Sequence, residues 1–312
     1  KNPLEKSKIY KELSLNKNSY VVEIASNDGY LLQYIHKKGI PCLGIEPTTA
    51  TAKESKNKGI DTIEEFFGSD LASNLKKADL VIANNVIAHV PDINDFVKGI
   101  SILLKKDGFA SIEFPHLFNL LKYNQFDTIY HEHYSYLSLE TFRKIALKSN
   151  LDIVNVEQLN THGGSLRVWL THKNKISASK NVTDILQLEK EKKITEPNGF
   201  KSFIDNVEKI KHSLIKYLIQ EKEKNNLVAG YGAAAKGNTL LNYSGVKKDL
   251  LEFIVDRAKS KQGMFMPGSH IPIYDIKALN KYKPDTLLVL PWNLINEIGD
   301  RKSTRLNSSH LV

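Results

Sequence analysis

Strand-like and helix-like segments alternate through the first half of the chain, and this order constrains the fold more strongly than any other feature. Apolar runs typical of buried strands occur at 20–25, 41–45, 79–84 and 109–114. Helix patterns occur between them, at 31–38, 49–58 and 93–104. Asp92 is the predicted N-cap of the third helix, and Gly108 is its predicted end. Alternation of this kind predicts a parallel, doubly wound α/β sheet of Rossmann-like topology.

The rest of the chain extends this sheet and then begins a second α/β region. A helix at 138–150, opened by Ser138, precedes two strands that we expect to close the first sheet as an antiparallel pair, at 152–157 and 165–171. Apolar residues at spacings of three and four from Phe200 to Leu218 predict a long amphipathic helix. The predicted division is a first domain at 1–175, a helical bridge at 176–226, a smaller Rossmann-like domain at 227–299 and a patternless, non-native tail at 300–312.

Composition excludes several classes of protein. The 312 residues are 41% hydrophobic and 25% charged, which is typical of a globular protein. No apolar run reaches the length of a membrane span, and the lysine-rich start lacks the apolar core of a signal peptide. We therefore expect a cytoplasmic monomer that does not bind membranes. Cys42 is the single cysteine, so this chain can form no internal disulfide and no cysteine-based zinc cluster.

The net charge of +9 is spread along predicted helices. At Glu189–Lys193 and Glu221–Lys224 the lysines alternate with glutamates, which predicts solvated helix faces and no nucleic-acid partner. A modest positive field of this kind would still attract an anionic substrate such as a nucleotide sugar.

The loop after the first strand has the composition of a nucleotide-binding turn. Glu23 lies in the strand, and the loop from Ala25 to Gly29 has small residues at Ala25, Ser26 and Gly29. Small residues allow the backbone to approach a ligand closely, and Asn27 supplies a polar side chain there. The first two glycines of the usual fingerprint are absent, so this loop alone does not identify the ligand.

A second acidic residue strengthens the prediction of a nucleotide site. Glu46 ends the second strand, seventeen residues after Gly29, where a carboxylate can accept hydrogen bonds from both ribose hydroxyls. A solvated acid at a strand end is the plain alternative, and NAD binding uses the same geometry. The segments that follow place Phe66 in an adenine-flanking position and Asn84 at the end of another strand, which favours S-adenosylmethionine (SAM) over NAD.

Residues 125–136 concentrate reactive side chains. They hold two imidazoles, two carboxylates and three phenols, with His131 and His133 two residues apart. A histidine has an unperturbed pKa of about 6.5, which suits a general base. Two histidines at this spacing can also bind zinc, but no cysteine joins them, so we predict no metal site.

A second glycine-rich loop opens the last region. The segment Gly230–Gly237 follows a strand and begins a helix, where backbone N–H groups and Lys236 can bind a phosphate. Tyr231 is expected to line the same cleft. Asp256 ends the next strand, in the position of a ribose-binding acid. Taken alone, this region would indicate an NAD-dependent oxidoreductase.

Taken together, these motifs resemble the SAM-dependent C-methyltransferases of deoxysugar biosynthesis, which methylate C-3 of dTDP-linked 4-keto-deoxysugars. The resemblance runs in order over residues 20–295. The stretches that carry it are 23–32, 44–47, 85–92, 113–116, 125–138, 162–165 and 230–237. It implies a class I, Rossmann-like SAM methyltransferase domain followed by a helical bridge and a second, smaller Rossmann-like domain.

The resemblance also implies roles for individual residues. His133 is the expected base, with Tyr130 and Glu132 beside it. His89 is expected to hold the keto sugar, and Asn85 to contact either ligand. The residues expected to bind SAM are Glu23, Ala25, Asn27, Gly29, Glu46, Phe66 and Asn84.

The remaining expectations concern the sugar nucleotide. The resemblance assigns Lys236 and Tyr231 to the nucleotide diphosphate. The turn that contains His162 and Gly163 is either a substrate contact or a plain hairpin. Members of the family begin with a cysteine-rich zinc module, which also leads to an active-site tyrosine, and neither has a counterpart in this sequence. The alternatives are an NAD-dependent oxidoreductase and a non-catalytic nucleotide-sugar-binding fragment.

Overall fold

A computed structural model describes residues 8–295, so the predicted tail at 300–312 lies outside the described part of the chain. The chain forms two compact units. The first unit comprises the residues up to Phe118 together with Glu132–Glu196, and the second comprises Asn119–His131 together with the residues from Pro197 onward.

A seven-stranded sheet forms the centre of the first unit. Its strands are β1 (Val21–Ile24), β2 (Cys42–Ile45), β3 (Thr62–Ile63), β4 (Ala78–Asn84), β5 (Leu104–Pro115), β6 (Leu151–Leu159) and β7 (Ser165–His172). The spatial order is β3-β2-β1-β4-β5-β7-β6. The first five strands are parallel, and β7 pairs antiparallel with both β5 and β6. The predicted doubly wound sheet and its antiparallel closing strands are confirmed.

Helices cover both faces of this sheet. They are α1 (Lys8–Glu12), α2 (Leu32–His36), α3 (Thr49–Asn57), α4 (Ser69–Ser73), α5 (Ile93–Leu103), α7 (Leu139–Lys148) and α8 (Lys180–Glu191). A further helix, α6 (Leu117–Lys122), belongs to the second unit from Asn119 onward. Successive residues of β1 point to opposite faces, so Val22 belongs to one apolar cluster and Val21 to another. The first cluster includes residues of α5, α7 and α8, and the second includes residues of α1 and α2 with Trp169.

The predicted N-caps are confirmed, but the predicted end of the third helix is wrong. Asp92 accepts from the N–H of Asp95 in α5, and Ser138 accepts from the N–H of Thr141 in α7. However, α5 ends at Leu103 and β5 follows at once, so Gly108 lies inside the strand. A Cβ at Gly108 would lie 2.8 Å from the carbonyl oxygen of Ala78. This glycine therefore allows two strands to approach closely and does not end a helix.

The second unit contains a smaller parallel sheet. Its strands are β8 (Val228–Tyr231), β9 (Ile254–Val255), β10 (Ile273–Tyr274) and β11 (Thr286–Val289), in the order β10-β9-β8-β11. Its helices are α9 (Lys201–Glu223), α10 (Ala235–Ser244) and α11 (Ala278–Tyr282). All pairings in this sheet are parallel, so the predicted second Rossmann-like α/β region is confirmed.

The residues predicted as a helical bridge, 176–226, are divided between the two units. Helix α8 packs into the first unit through Val182 and Ile185, whereas α9 packs into the second through Leu218. The prediction of solvated faces here is wrong for two residues. Glu189 is 2% exposed and Glu221 is 6% exposed. Each carboxylate is hydrogen-bonded, which compensates for the loss of water. Within residues 8–295, no helix is both long enough and apolar enough to cross a membrane.

Removal of either N-cap should destabilise the first unit. Asp92→Ala should lower the free energy of unfolding by about 1 kcal/mol, because the N–H of Asp95 loses its acceptor. Urea unfolding of a Trp292→Phe background, followed by the fluorescence of Trp169, isolates this unit. The control is Asp92→Asn, which keeps a capping oxygen and should cost only a few tenths of a kcal/mol. Equal stability of the Ala and Asn variants would contradict the assignment of this cap.

Candidate active site

The loop after β1 has the backbone of a ligand-binding turn. Ala25, Asn27 and Gly29 have φ angles of 54°, 52° and 72°, a left-handed conformation that is costly for the two non-glycine residues. A Cβ at Gly29 would also lie 2.5 Å from Ile60 Cδ1. The loop is held by Glu46, whose carboxylate accepts from the N–H of Asn27 at 3.0 Å and from that of Thr48 at 2.9 Å. In this structure Glu46 therefore ties the loop to the end of β2.

Three polar atoms near the ends of β1 and β4 are buried without a hydrogen-bond partner in the described structure. They are Oε2 of Glu23, Oδ1 of Asn84 and Oδ1 of Asn85. Because β1 and β4 are parallel neighbours, their carboxyl ends lie at the same edge of the sheet. Buried polar atoms normally have partners, so their position at this edge is suited to a polar ligand.

Glu23 also has an unusual acidity. The pKa of this carboxyl is raised to about 8, mainly by burial; a backbone hydrogen bond from Leu32 opposes the shift, and the charge of Asp28 adds to it. After β3, Phe66 is 86% exposed. Its neighbour Phe67 packs edge-to-face against Phe96, with 5.4 Å between the ring centroids. Phe66 is therefore an apolar surface that a bound ring could cover.

Two of the predicted catalytic histidines lie together. The ring centroids of His89 and His133 are 4.7 Å apart and their planes cross at 68°. His89 ends a short 3₁₀ turn after β4, and the segment that follows His133 is fixed to this turn. The N–H groups of Tyr134 and Ser135 both approach the carbonyl oxygen of Ala88, at 2.8 Å and 3.3 Å.

The other members of the histidine segment differ in their surroundings. Tyr130 and His131 fall in the second unit, whereas Glu132 and His133 fall in the first. His131 and Glu132 are exposed, and Tyr130 is half-buried. His133 also packs edge-to-face with Tyr136, with the ring centroids 5.7 Å apart. Among residues 8–295, no three His, Cys, Asp or Glu side chains converge in a way that could hold a metal ion.

A buried carboxylate that the sequence did not reveal supports the turn at His162 and Gly163. Glu113, in β5, accepts from the hydroxyl of Thr161 at 2.9 Å and from Arg167 at 2.9 Å. Thr161 begins the turn, and Gly163 has a φ of 87° that favours glycine. The main-chain carbonyl of Glu113 also accepts from the N–H of Asn85 at 2.8 Å. Glu113 thus links the turn to the end of β4.

In the second unit, Lys236 lies in a small polar cluster. Its ammonium group is 3.0 Å from Oδ1 of Asn293 and 4.5 Å from the ring centroid of Trp292. The indole N–H of Trp292 donates to Asp127 at 2.6 Å. Burial lowers the pKa of Lys236 and raises that of Asp127, and the attraction between the two charges opposes both shifts.

The other residues of the second glycine-rich loop serve the packing of the unit. Tyr231 is 7% exposed and lies in an apolar cluster with Phe253, so its side chain packs in the core of the unit. This happens because the strand β8 continues through it. A Cβ at Gly237 would lie 2.7 Å from the Cβ of Leu290, so this glycine allows helix and strand to pack closely. Asp256 accepts from the N–H groups of Ala233 and Ala258, at 2.7 Å and 2.8 Å.

Comparison with known proteins identifies the family. Residues 2–156 match the family described as a methyltransferase domain, and residues 160–310 match the one described as the C-methyltransferase C-terminal domain. The chain is also 33% identical to the C-methyltransferase NovU of Streptomyces niveus, over 95% of this chain and 72% of that protein. The chain belongs to the SAM-dependent C-methyltransferases. Because residues 160–310 match this family, the oxidoreductase interpretation of the second glycine-rich loop is not kept.

Two more distant similarities each cover only part of the chain. A ubiquinone biosynthesis O-methyltransferase of Actinobacillus pleuropneumoniae is 26% identical over 34% of this chain and 50% of that protein. The crystal structure of magnesium protoporphyrin IX methyltransferase from Synechocystis with bound S-adenosylhomocysteine is 16% identical, with a TM-score of 0.44. The match covers 53% of this chain and 78% of that one.

The cofactor of this C-methyltransferase is SAM, and the edge of the first sheet fits it. SAM offers an ammonium group, ribose hydroxyls and an adenine ring. The described structure has buried acceptor oxygens on Glu23 and Asn84, a left-handed loop at 25–29 and an exposed ring on Phe66. The match of residues 2–156 to the methyltransferase domain and the seven-stranded sheet confirm the predicted class I, Rossmann-like methyltransferase fold.

The raised pKa of Glu23 predicts a pH-dependent stability. The folded protein keeps a proton on Glu23 up to about pH 8, whereas the unfolded chain releases it near 4.5. The stabilising contribution of the protonated group is therefore complete below pH 4.5 and is lost as the pH rises through 8. Relative to Glu23→Gln, wild-type stability should fall by up to about 1.4 kcal/mol per pH unit in this range. Parallel pH–stability curves for the two proteins would contradict the burial argument.

Proposed function

We propose that this C-methyltransferase methylates C-3 of a dTDP-linked 4-keto-deoxysugar, with His133 as the base. The observation that carries the proposal is the pairing of His133 with His89, 4.7 Å apart between ring centroids, in a chain that belongs to the C-methyltransferases. The segment 134–135 is bonded to Ala88, so the two rings are supported by adjoining backbone.

Methylation at carbon requires a base because a carbon next to a ketone is only weakly acidic. The proposed step moves the C-3 proton to a ring nitrogen of His133 and leaves the electron pair in an enolate. A histidine, with an unperturbed pKa of about 6.5, can accept this proton near neutral pH. When bound, SAM supplies a methyl group that bonds to C-3 as its bond to sulfur breaks, so that the sulfur leaves as a neutral thioether.

The enolate oxygen needs hydrogen-bond donors. We assign this role to His89 and Tyr130, because donors aimed at a developing oxyanion contribute strongly to catalysis. Glu132 is proposed to support the charge that His133 acquires, and Asn85 to orient either ligand. The turn at His162 and Gly163, which Glu113 holds through Thr161, is proposed to contact the sugar.

SAM is proposed to bind along the carboxyl edge of the first sheet. Glu23 and Asn84 offer their unpaired oxygens, and Ala25, Asn27 and Gly29 form the loop. Two further residues complete this site. Glu46 would exchange a backbone hydrogen bond for the ribose hydroxyls, and Phe66 would cover the adenine.

In the second unit, Lys236 is proposed to bind a phosphate of the substrate. It lies in the first turn of α10, where the partial positive charge of the helix end also favours an anion. A lysine whose pKa is lowered by burial gains most from a phosphate as a partner, because the phosphate replaces solvation that burial has removed.

Substitution of His133 should remove methyl transfer and leave cofactor binding intact. His133→Ala should lower kcat by a factor of about 10² to 10⁴, because the C-3 proton loses its acceptor. Product mass spectrometry with a panel of dTDP- and GDP-linked 4-keto sugars measures the rate, and calorimetry measures the affinity for S-adenosylhomocysteine. The matched control is His131→Ala, in an exposed histidine two residues away, which should behave as wild type. Equal losses in the two variants would contradict the assignment.

Substitution of Lys236 should weaken nucleotide binding. Lys236→Ala should raise KM for the sugar nucleotide about ten- to one-hundred-fold, because a charge-assisted hydrogen bond to phosphate contributes about 1.5 to 3 kcal/mol. Calorimetry with dTDP tests this directly, with Lys247→Ala as a control in an exposed lysine of the same unit. Equal dTDP affinity of wild type and Lys236→Ala would place the phosphate elsewhere.

A further inference from the structure

A buried histidine and glutamate form a pair in the first unit that the proposed chemistry does not use. His116 is 1% exposed and Glu189 is 2% exposed, and Nε2 of His116 lies 2.7 Å from Oε1 of Glu189. His116 follows directly after β5, whereas Glu189 lies near the end of α8. The pair therefore joins two elements that are 73 residues apart in the chain.

Glu189 has two further partners, both at the start of α7. Its Oε1 accepts from the N–H of Leu139 at 2.6 Å, and its Oε2 accepts from the N–H of Glu140 at 2.9 Å. The first N–H groups of a helix lack partners within the helix, and a negative charge beside them is favourable. One carboxylate thus holds the first turn of α7 and the imidazole of His116 together.

The two ring nitrogens of His116 have different surroundings. Its Nδ1 is buried without a hydrogen-bond partner in the described structure, and its Nε2 faces an acceptor oxygen. A hydrogen on both nitrogens would leave a buried N–H unpaired, which is costly. A hydrogen on Nε2 can therefore be donated to Glu189.

This pair holds the chain segment that carries His133. The N–H of Tyr134 donates to Ala88 at 2.8 Å, which fixes the upstream end beside His89. At the downstream end, Leu137 forms a parallel bridge with His116, and its carbonyl accepts from the N–H of Leu117 at 3.0 Å. Glu189 then fixes the two residues that begin α7. Residues 134–140 are therefore held at both ends.

A purely structural role does not require these residue types. An ion pair or polar pair in a core can often be replaced by apolar residues of similar volume without loss of stability. A carboxylate that fixes backbone N–H groups gives direction and distance instead, which an apolar side chain does not. Misplacement of a catalytic group by about 1 Å can cost on the order of 10²-fold in rate.

We infer that Glu189 and His116 are positioning residues for the base, and that they act by fixing residues 137–140 immediately downstream of His133. This inference rests on the proposed role of His133 as base. Neither residue touches the reacting atoms. Their effect is therefore on the rate of the chemical step and not on the binding of either ligand.

Two substitutions at Glu189 test this. Glu189→Leu removes all acceptors and should lower kcat at least about ten-fold, with KM for the sugar nucleotide and the affinity for S-adenosylhomocysteine changed less than about two-fold. Glu189→Gln keeps the volume and one carbonyl oxygen, and should recover part of the lost rate. The matched control is Glu221→Leu, in a buried helical glutamate of the second unit, which should change stability and leave kcat unchanged.

A double substitution separates this inference from the proposed function. If Glu189 acts only through His133, adding Glu189→Gln to His133→Ala should cause no further loss in rate. Wild-type kcat in His133→Ala would overturn the proposed base. A large loss in His133→Ala with wild-type kcat in Glu189→Gln and in His116→Gln would overturn the positioning role alone. Parallel losses of kcat, cofactor affinity and melting temperature in the Glu189 variants would also overturn it, because they indicate a structural role.

Discussion

The parallel pairing of β1 with β2 and β4 is the constraint on which the site depends. Parallel neighbours end at the same edge, so the loop after β1, the acid at the end of β2 and the turn after β4 are brought together by hydrogen bonding of the sheet alone. Except for Phe66, which follows β3, the SAM-binding candidates lie at or just after the ends of these strands, and His89 follows β4. Residues that are far apart in the chain therefore lie at one edge of the sheet.

Buried carboxylates then fix the connecting segments at this edge. Glu46 accepts from the N–H groups of Asn27 and Thr48. Glu113 accepts from the hydroxyl of Thr161, and Glu189 accepts from the N–H groups at the start of α7. A buried carboxylate is costly unless its oxygens are hydrogen-bonded, and each of these three is. The unpaired oxygens of Glu23 and Asn84 differ from this pattern, which is why we assign them to a ligand.

Much of the fold could be predicted from local patterns, because burial imposes periods on the sequence. The strands of the first sheet, the caps at Asp92 and Ser138 and the long helix α9 follow from such patterns. The two-residue strands β3 and β10 are too short to show a period. Gly108 was misassigned because a glycine needed for close strand approach has the same sequence signature as one that ends a helix.

The features near the site that the sequence did not reveal come from contacts between distant residues. Glu189 lies among lysines on a helix, which is typical of a solvated face, but its partners are 49 to 73 residues away. Tyr231 follows a glycine, as in a ligand-binding loop, yet the core of the second unit takes its side chain. The role of Glu113 depends on Thr161 and Arg167, whose proximity follows from the pairing of β5 with β7. Such contacts depend on how distant segments pack together, so no short stretch of sequence reveals them.

The central claim is that His133 removes a proton from carbon before any methyl group is transferred. Solvent deuterium exchange at C-3 of a dTDP-linked 4-keto sugar tests it most directly, with S-adenosylhomocysteine in place of SAM so that methylation cannot occur. We predict that the wild-type protein incorporates deuterium at C-3 and that His133→Ala does not. Exchange at the wild-type rate in His133→Ala would contradict the account.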